Sequence, residues 1–204
     1  MPRPRSLTSD RLATATLAVL DRDGLDALTM RAVATELGMA TMSLYRYVTD
    51  KDELEALVVD HVLAGVDLAV LPGAWQERIA ELFTRMRAAV LEHPATVPLL
   101  LRHRHSAPSS LAFIEAALAI LTDAGFTGEQ RVVAQRTLVA YVAGALHNTH
   151  YGPLAGAGTI VMAAQERFPL IAETAALARD LTDDVEFHRG LDVVLRGLAS
   201  PQSR

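Results

Sequence analysis

Between positions 41 and 51 the chain sets hydroxyls, phenol rings, a guanidinium and an ammonium close together, in Thr41, Ser43, Tyr45, Arg46, Tyr47 and Lys51. The polar ends of Tyr45, Arg46 and Tyr47 can reach phosphate oxygens or base edges while their stems pack on a scaffold. Met42 offers no hydrogen bond, only apolar contact such as that with a thymine methyl. Leu44 and Val48, spaced i and i+4, alone require a buried face, so the other side chains are free to enter a major groove. The chemistry implied is recognition of duplex DNA.

The seven histidines raise a different possibility. His103 and His105 flank Arg104, and His147 and His150 are i, i+3 partners. Such pairs can bind a metal, yet a structural zinc site needs four ligands and a catalytic one at least three, and the chain has no cysteine. The expectation is polar pocket or interface histidines, with no metal and no cofactor. An all-helical enzyme would need His103, His105 and Glu115 to converge in one pocket with perturbed pKa values.

The elements that must position these groups are helices. Thr29 can cap a helix in which Met30, Val33, Ala34 and Leu37 form one apolar stripe. Gly38 then takes the left-handed conformation that ends a helix sharply, and a second helix over 41–47 leaves at a steep angle. This is a helix-turn-helix. An earlier helix over 9–22 turns Leu12, Thr16, Val19 and Leu20 inward. Asp50 and Glu53 form a D-x-x-E capping box for a helix over 51–68, which the Leu71-Pro72-Gly73 break ends. Helical patterns continue over 75–92, 98–103, 108–124, 128–151, 160–178 with an interruption at Pro169, and 183–199, and no alternating β-branched run suggests a strand. The class is all-α: a three-helix DNA-binding domain over residues 1–50 and a larger helical domain over 51–204.

The run from Leu28 to Leu57, with T-x-R-x-V-A-x-x-L-G, then S-L-Y-x-Y-V and D-K-x-E-L, resembles the DNA-binding domain of the tetracycline-repressor (TetR) family of transcriptional regulators. The ending F-H-R-G-L-D-V-V-L-R-G-L from Phe187 is similar to the final dimerisation helix of members close to the tetracycline repressor. The resemblance implies phosphate contacts at Tyr45 and Lys51 and groove contacts at Arg31, Thr41, Met42, Ser43, Arg46 and Tyr47. With Thr29 and the arginines Arg3 and Arg5, whose proline-spaced arm can enter a minor groove, these make the expected DNA-binding set. The implied partner is a palindromic double-stranded operator, bound by a homodimer.

Composition agrees with such a division of labour. The net charge of −5 divides into +1 over residues 1–51 and −6 over the rest, so the small basic excess sits with the reader. The start carries no secretory signal, and the most apolar region, Leu111 to Leu121, is interrupted by Glu115 and too short to span a bilayer. A cytoplasmic protein without membrane contact is expected. Trp75, Phe83, Met86, Phe113, Gln135, Tyr141, Asn148 and Met162 suit a mostly apolar cavity with a few polar groups, as a small-molecule site requires; His103 and His147 are candidate polar members. Two apolar stripes, Phe187/Leu191/Val194/Leu195/Leu198 and Ala134/Leu138/Tyr141/Val142/Ala145, could each be internal core, but the resemblance favours a four-helix dimer interface that buries them against their copies. The function expected is a repressor released from its operator by a small apolar or amphipathic ligand. The alternative is the same reader controlled by a protein partner or lacking an inducer.

Overall fold

Thr8, Thr29 and Asp50 begin three helices by the same chemistry: each side-chain oxygen accepts a hydrogen bond from a backbone N–H that the helix leaves unpaired. Thr8 takes Arg11 N at 3.2 Å, Thr29 takes Ala32 N at 3.1 Å and Asp50 takes Glu53 N at 2.9 Å. The helices that follow are α1 (Ser9–Asp23), α2 (Met30–Glu36) and, after the short α3 (Thr41–Leu44), α4 (Lys51–Ala64). The Asp50 box is not reciprocal. The Glu53 carboxylate instead accepts from the Thr49 backbone N–H at 2.7 Å and from its hydroxyl at 2.9 Å.

The computed structural model describes residues 7–69, 72–151 and 156–199, and among these the chain is helices and turns with no strand. Of residues 150 and 151 only the backbone is described. The Arg3 and Arg5 arm lies outside the described residues. The remaining helices are α5 (Trp75–Leu91), α6 (Val97–His103), α7 (Pro108–Asp123), α8 (Gly128–Tyr151), α9 (Ala157–Ala163), α10 (Pro169–Ala178) and α11 (Asp183–Ala199). Two units are distinguishable, one of residues 1–69 and 84–116, the other of 70–83 and 117–204.

In the first unit Leu12, Val19 and Leu20 of α1 are buried, as are Val33 of α2, Leu44 of α3, and Leu54 and Val58 of α4. α4 stops at Ala64 rather than near position 68, because Gly65, a poor helix former, is its C-cap. α6 packs against α4, and Asp60 of α4 accepts a 2.7 Å hydrogen bond from Ser109 N at the start of α7.

In the second unit α8 and α11 pair along their apolar faces. Phe187, Leu191 and Leu195 are buried, with Leu138, Val142 and Leu146 of α8; full burial of each such side chain stabilises by about 1.5–3 kcal/mol relative to exposure. The stripes expected to suit a dimer contact are therefore largely internal to one chain, with Tyr141, Ala145, Val194 and Leu198 half-buried. The Tyr141 hydroxyl donates to the Phe187 carbonyl at 2.7 Å. Gly190 makes room for it, since a Cβ there would collide with the Tyr141 ring and hydroxyl. The segment expected as an interrupted helix over 160–178 is two helices, α9 and α10, and Pro169 sits at the first position of α10, where its missing N–H leaves no bond unmade. Among the described residues no helix is long and apolar enough to cross a membrane.

Candidate nucleic-acid interface

Gly38 adopts φ of +66°, the left-handed conformation that sends the chain from α2 into α3 at a sharp turn. α3 is a single turn ending at Leu44, shorter than the expected helix over 41–47. Residues 45–47 continue as turn, with Tyr47 N and Val48 N both bonded to the Leu44 carbonyl, at 2.9 and 3.3 Å. Leu44 and Val48 are buried and act as the two anchors. Every other side chain from 41 to 47 retains solvent exposure: Thr41 and Ser43 in part, Met42, Tyr45, Arg46 and Tyr47 openly. Met42 is 78 % exposed, well beyond Tyr45 and Tyr47. Arg46 reaches back toward the Ser43 carbonyl at 3.5 Å, a long contact that leaves the guanidinium able to turn outward. Arg31 is exposed on α2, while Thr29 serves as that helix's cap.

Charge on the reader is partly neutralised from within. Arg22 bridges Asp23 at 2.9 Å and Glu36 at 2.8 Å, tying the end of α1 to the end of α2. Lys51, at the first position of α4, donates to the Leu25 carbonyl at 3.3 Å and lies 3.7 Å from the Glu55 carboxylate.

Glu55 is a residue that sequence reasoning missed. It is 1 % exposed and accepts from Arg102 at 2.8 Å and from His103 Nε2 at 2.9 Å, both on α6. Burial alone pushes this carboxyl up, but the hydrogen bonds from His103 and Arg102, with the charges of Arg102 and Lys51, outweigh it and hold the group below the usual carboxylate range. A signal existed in the sequence, because position 55 shares the spacing of the buried Val58, Val59 and Val62 and so places a carboxylate on an inward face. Asp52, Glu55 and His103 bring metal-ligand atoms within 4.8 Å of one another. Two cationic side chains already face Glu55, however, and their charge opposes a metal ion there.

Of the ligand-site candidates, Met86, His103 and Phe113 belong to the first unit and Phe83, Gln135, Tyr141, His147 and Asn148 to the second. Phe83, Met86 and Phe113 are buried, Gln135 and Tyr141 half-buried, and His147 and Asn148 exposed. His103 is engaged by Glu55. Tyr141 and Asn148 come together in a concavity of about 310 Å³ between α8 and α11, which Asp183, Glu186 and Phe187 also line. His105 and Glu115 are exposed, whereas His103 is buried, so these three differ in environment.

Residues 12–56 match the family described as bacterial regulatory proteins, tetR family, and residues 71–201 match the tetracyclin repressor-like C-terminal domain. An HTH-type transcriptional regulator of Saccharopolyspora erythraea is 30% identical over 201 residues, covering 95% of this chain and 85% of the relative. The class E tetracycline repressor of Escherichia coli is 27% identical over 199 residues, covering 95% and 92%. Among solved structures, the Streptomyces coelicolor TetR family protein ActR in complex with actinorhodin superposes with a TM-score of 0.82 at 28% identity, covering 96% of each chain. The turn at Gly38, the anchored reader and the matches at both ends of the chain agree: this protein is a DNA-binding transcriptional regulator of the TetR family.

Proposed function

We propose that this regulator is a homodimeric repressor that holds a palindromic operator through residues 1–50 and is released by a small apolar or amphipathic molecule bound within residues 51–204. The observation that carries the reading is the split at the reader, where Leu44 and Val48 are buried while the side chains around them face outward. Thr41, Met42, Ser43, Arg46 and Tyr47, with Arg31, supply base-edge and methyl contacts. Tyr45 and Lys51 hold phosphates, Thr29 fixes the start of α2, and Arg3 and Arg5 reach a neighbouring minor groove. That ActR is found with actinorhodin supports a small-molecule effector for this chain as well. No catalytic role is assigned to His103, His105 or Glu115.

The dimer face we assign is the exposed side of α8 and α11, where Val133, Ala140 and Gly144 accompany Val193 and Gly197. Small residues there let two copies of the helix pair approach closely. The buried stripe of Leu191 and Leu195 supports that face from beneath.

Selection of duplexes from a random library, followed by titration at several salt concentrations, tests the reading. The expected result is an inverted repeat bound with steep salt dependence, and lowered affinity when an aromatic amphiphile is added. Salt-insensitive binding with no enriched repeat would overturn it.

A further inference from the structure

We propose that Glu55 is a positioning residue for DNA binding: it shares one buried carboxylate between Arg102 and the His103 ring on α6 and the reader's Lys51, and so lets the α6 guanidinium set how freely Lys51 meets phosphate. This rests on the reading of Lys51 as a phosphate contact.

The geometry is that of a divided charge. Oε2 of Glu55 accepts from Arg102 at 2.8 Å and from His103 at 2.9 Å, while Oε1 faces the Lys51 ammonium at 3.7 Å, beyond hydrogen-bond length. A carboxylate that is 1 % exposed gains little from water and depends on these partners for its compensation. As long as Arg102 neutralises it from one side, the attraction that Lys51 feels from the other is weak. Lys51 then keeps its bond to the Leu25 carbonyl at 3.3 Å and retains donor capacity for an anion. Removal of the α6 cation leaves Lys51 as the nearest full charge to a buried anion. The ammonium closes onto Oε1, and a phosphate must then compete with a buried carboxylate for it.

The sense of the effect follows. Loss of positive charge at position 102 weakens DNA binding although the change is made on α6. Any effector that withdraws α6 from Glu55 acts on the reader in the same direction, through charge rather than through a shift of the helix axis.

The experiment uses the full chain and a short duplex recovered from a random library by selection with the wild-type protein. Arg102→Gln is expected to weaken binding several-fold and to lower the slope of log affinity against log salt by up to about 0.9 for each reader. Arg102→Lys restores both. In a Lys51→Ala background, and equally in a Glu55→Gln background, Arg102→Gln becomes silent. Arg102 is about half exposed, so the variants should fold; melting curves verify it, and Arg102→Met serves if Arg102→Gln does not. If Arg102→Gln weakens binding as much beside Lys51→Ala as alone, the arginine acts by its general field or through the fold, and the sharing is overturned. If Lys51→Ala alone binds as wild type, the phosphate role of Lys51 fails first, which is a separate result.

Discussion

Asp60, near the end of α4, accepts the backbone N–H of Ser109 at 2.7 Å and so caps α7 from another helix. The cap works in two ways, satisfying a donor that α7 leaves unpaired and placing a negative charge at its positive end. Asp60→Ala is expected to lower stability by about 1 kcal/mol, and Asp60→Asn, which keeps the acceptor, by less. Thermal melts of the two variants check this; equal losses would mean that the charge, not the bond, is what matters.

Acid stability should report on Glu55. Its carboxyl lies below the usual range in the folded chain, so its contribution is fully present above the unfolded value of about 4.3 and is lost as pH falls through the lower folded value. The unfolded chain takes up the proton first. Melting temperature plotted against pH should therefore fall on the acid side in wild type and fall less in Glu55→Gln. Parallel curves would show that Glu55 does not contribute to the acid limb.

Specificity should separate by residue. Arg46→Ala is expected to relax preference at particular base pairs by about 1–3 kcal/mol if its contact is bidentate, and Lys51→Ala to weaken all sequences alike. Met42 reads no polar edge, so replacing one thymine of the selected site by uracil, which removes only the methyl, should lower affinity at a single position. Selections and titrations with these duplexes measure both effects. A wild-type consensus returned by Arg46→Ala at wild-type affinity would remove Arg46 from the reading set.

Assembly gives a contrast between two neighbours on α11. Val193 is 60 % exposed and Leu191 is 1 % exposed. Val193→Asp is expected to give a folded monomer by light scattering, whereas Leu191→Asp should lose the fold, since it buries an unpaired charge. In the dimer the two recognition segments should lie about 34–36 Å apart, one turn of DNA. A folded, dimeric Val193→Asp would place the interface on another face.

The reader was legible in the sequence because its signals are local: the caps at Thr29 and Asp50, the turn at Gly38 and the anchors Leu44 and Val48 are all settled within a few residues. The length of α3 was not, because residues 45–47 have acceptable helix propensity and what sets them apart is the i to i+3 bonding of Arg46 N to the Ser43 carbonyl and of Tyr47 N to the Leu44 carbonyl. The stripe of Phe187, Leu191 and Leu195 was legible as apolar, but periodicity does not say whether its partner is α8 of the same chain or a second copy. Glu55 was hidden for the same reason. Its α6 partners lie 47 and 48 residues away, and what identifies it is a charged residue at an inward-facing position, a departure from the pattern rather than a match.

The single turn of α3 also limits how far the reader can be transplanted. One turn does not pay its own nucleation cost in water, so residues 41–47 hold their shape only because Leu44 and Val48 are gripped by the helices beneath. A recognition segment of this kind is not a detachable module. Grafted onto a foreign helix it should become a longer, regular helix that rotates Tyr45, Arg46 and Tyr47 to new bearings, and the specificity of the donor would be lost with every residue of the segment still in place.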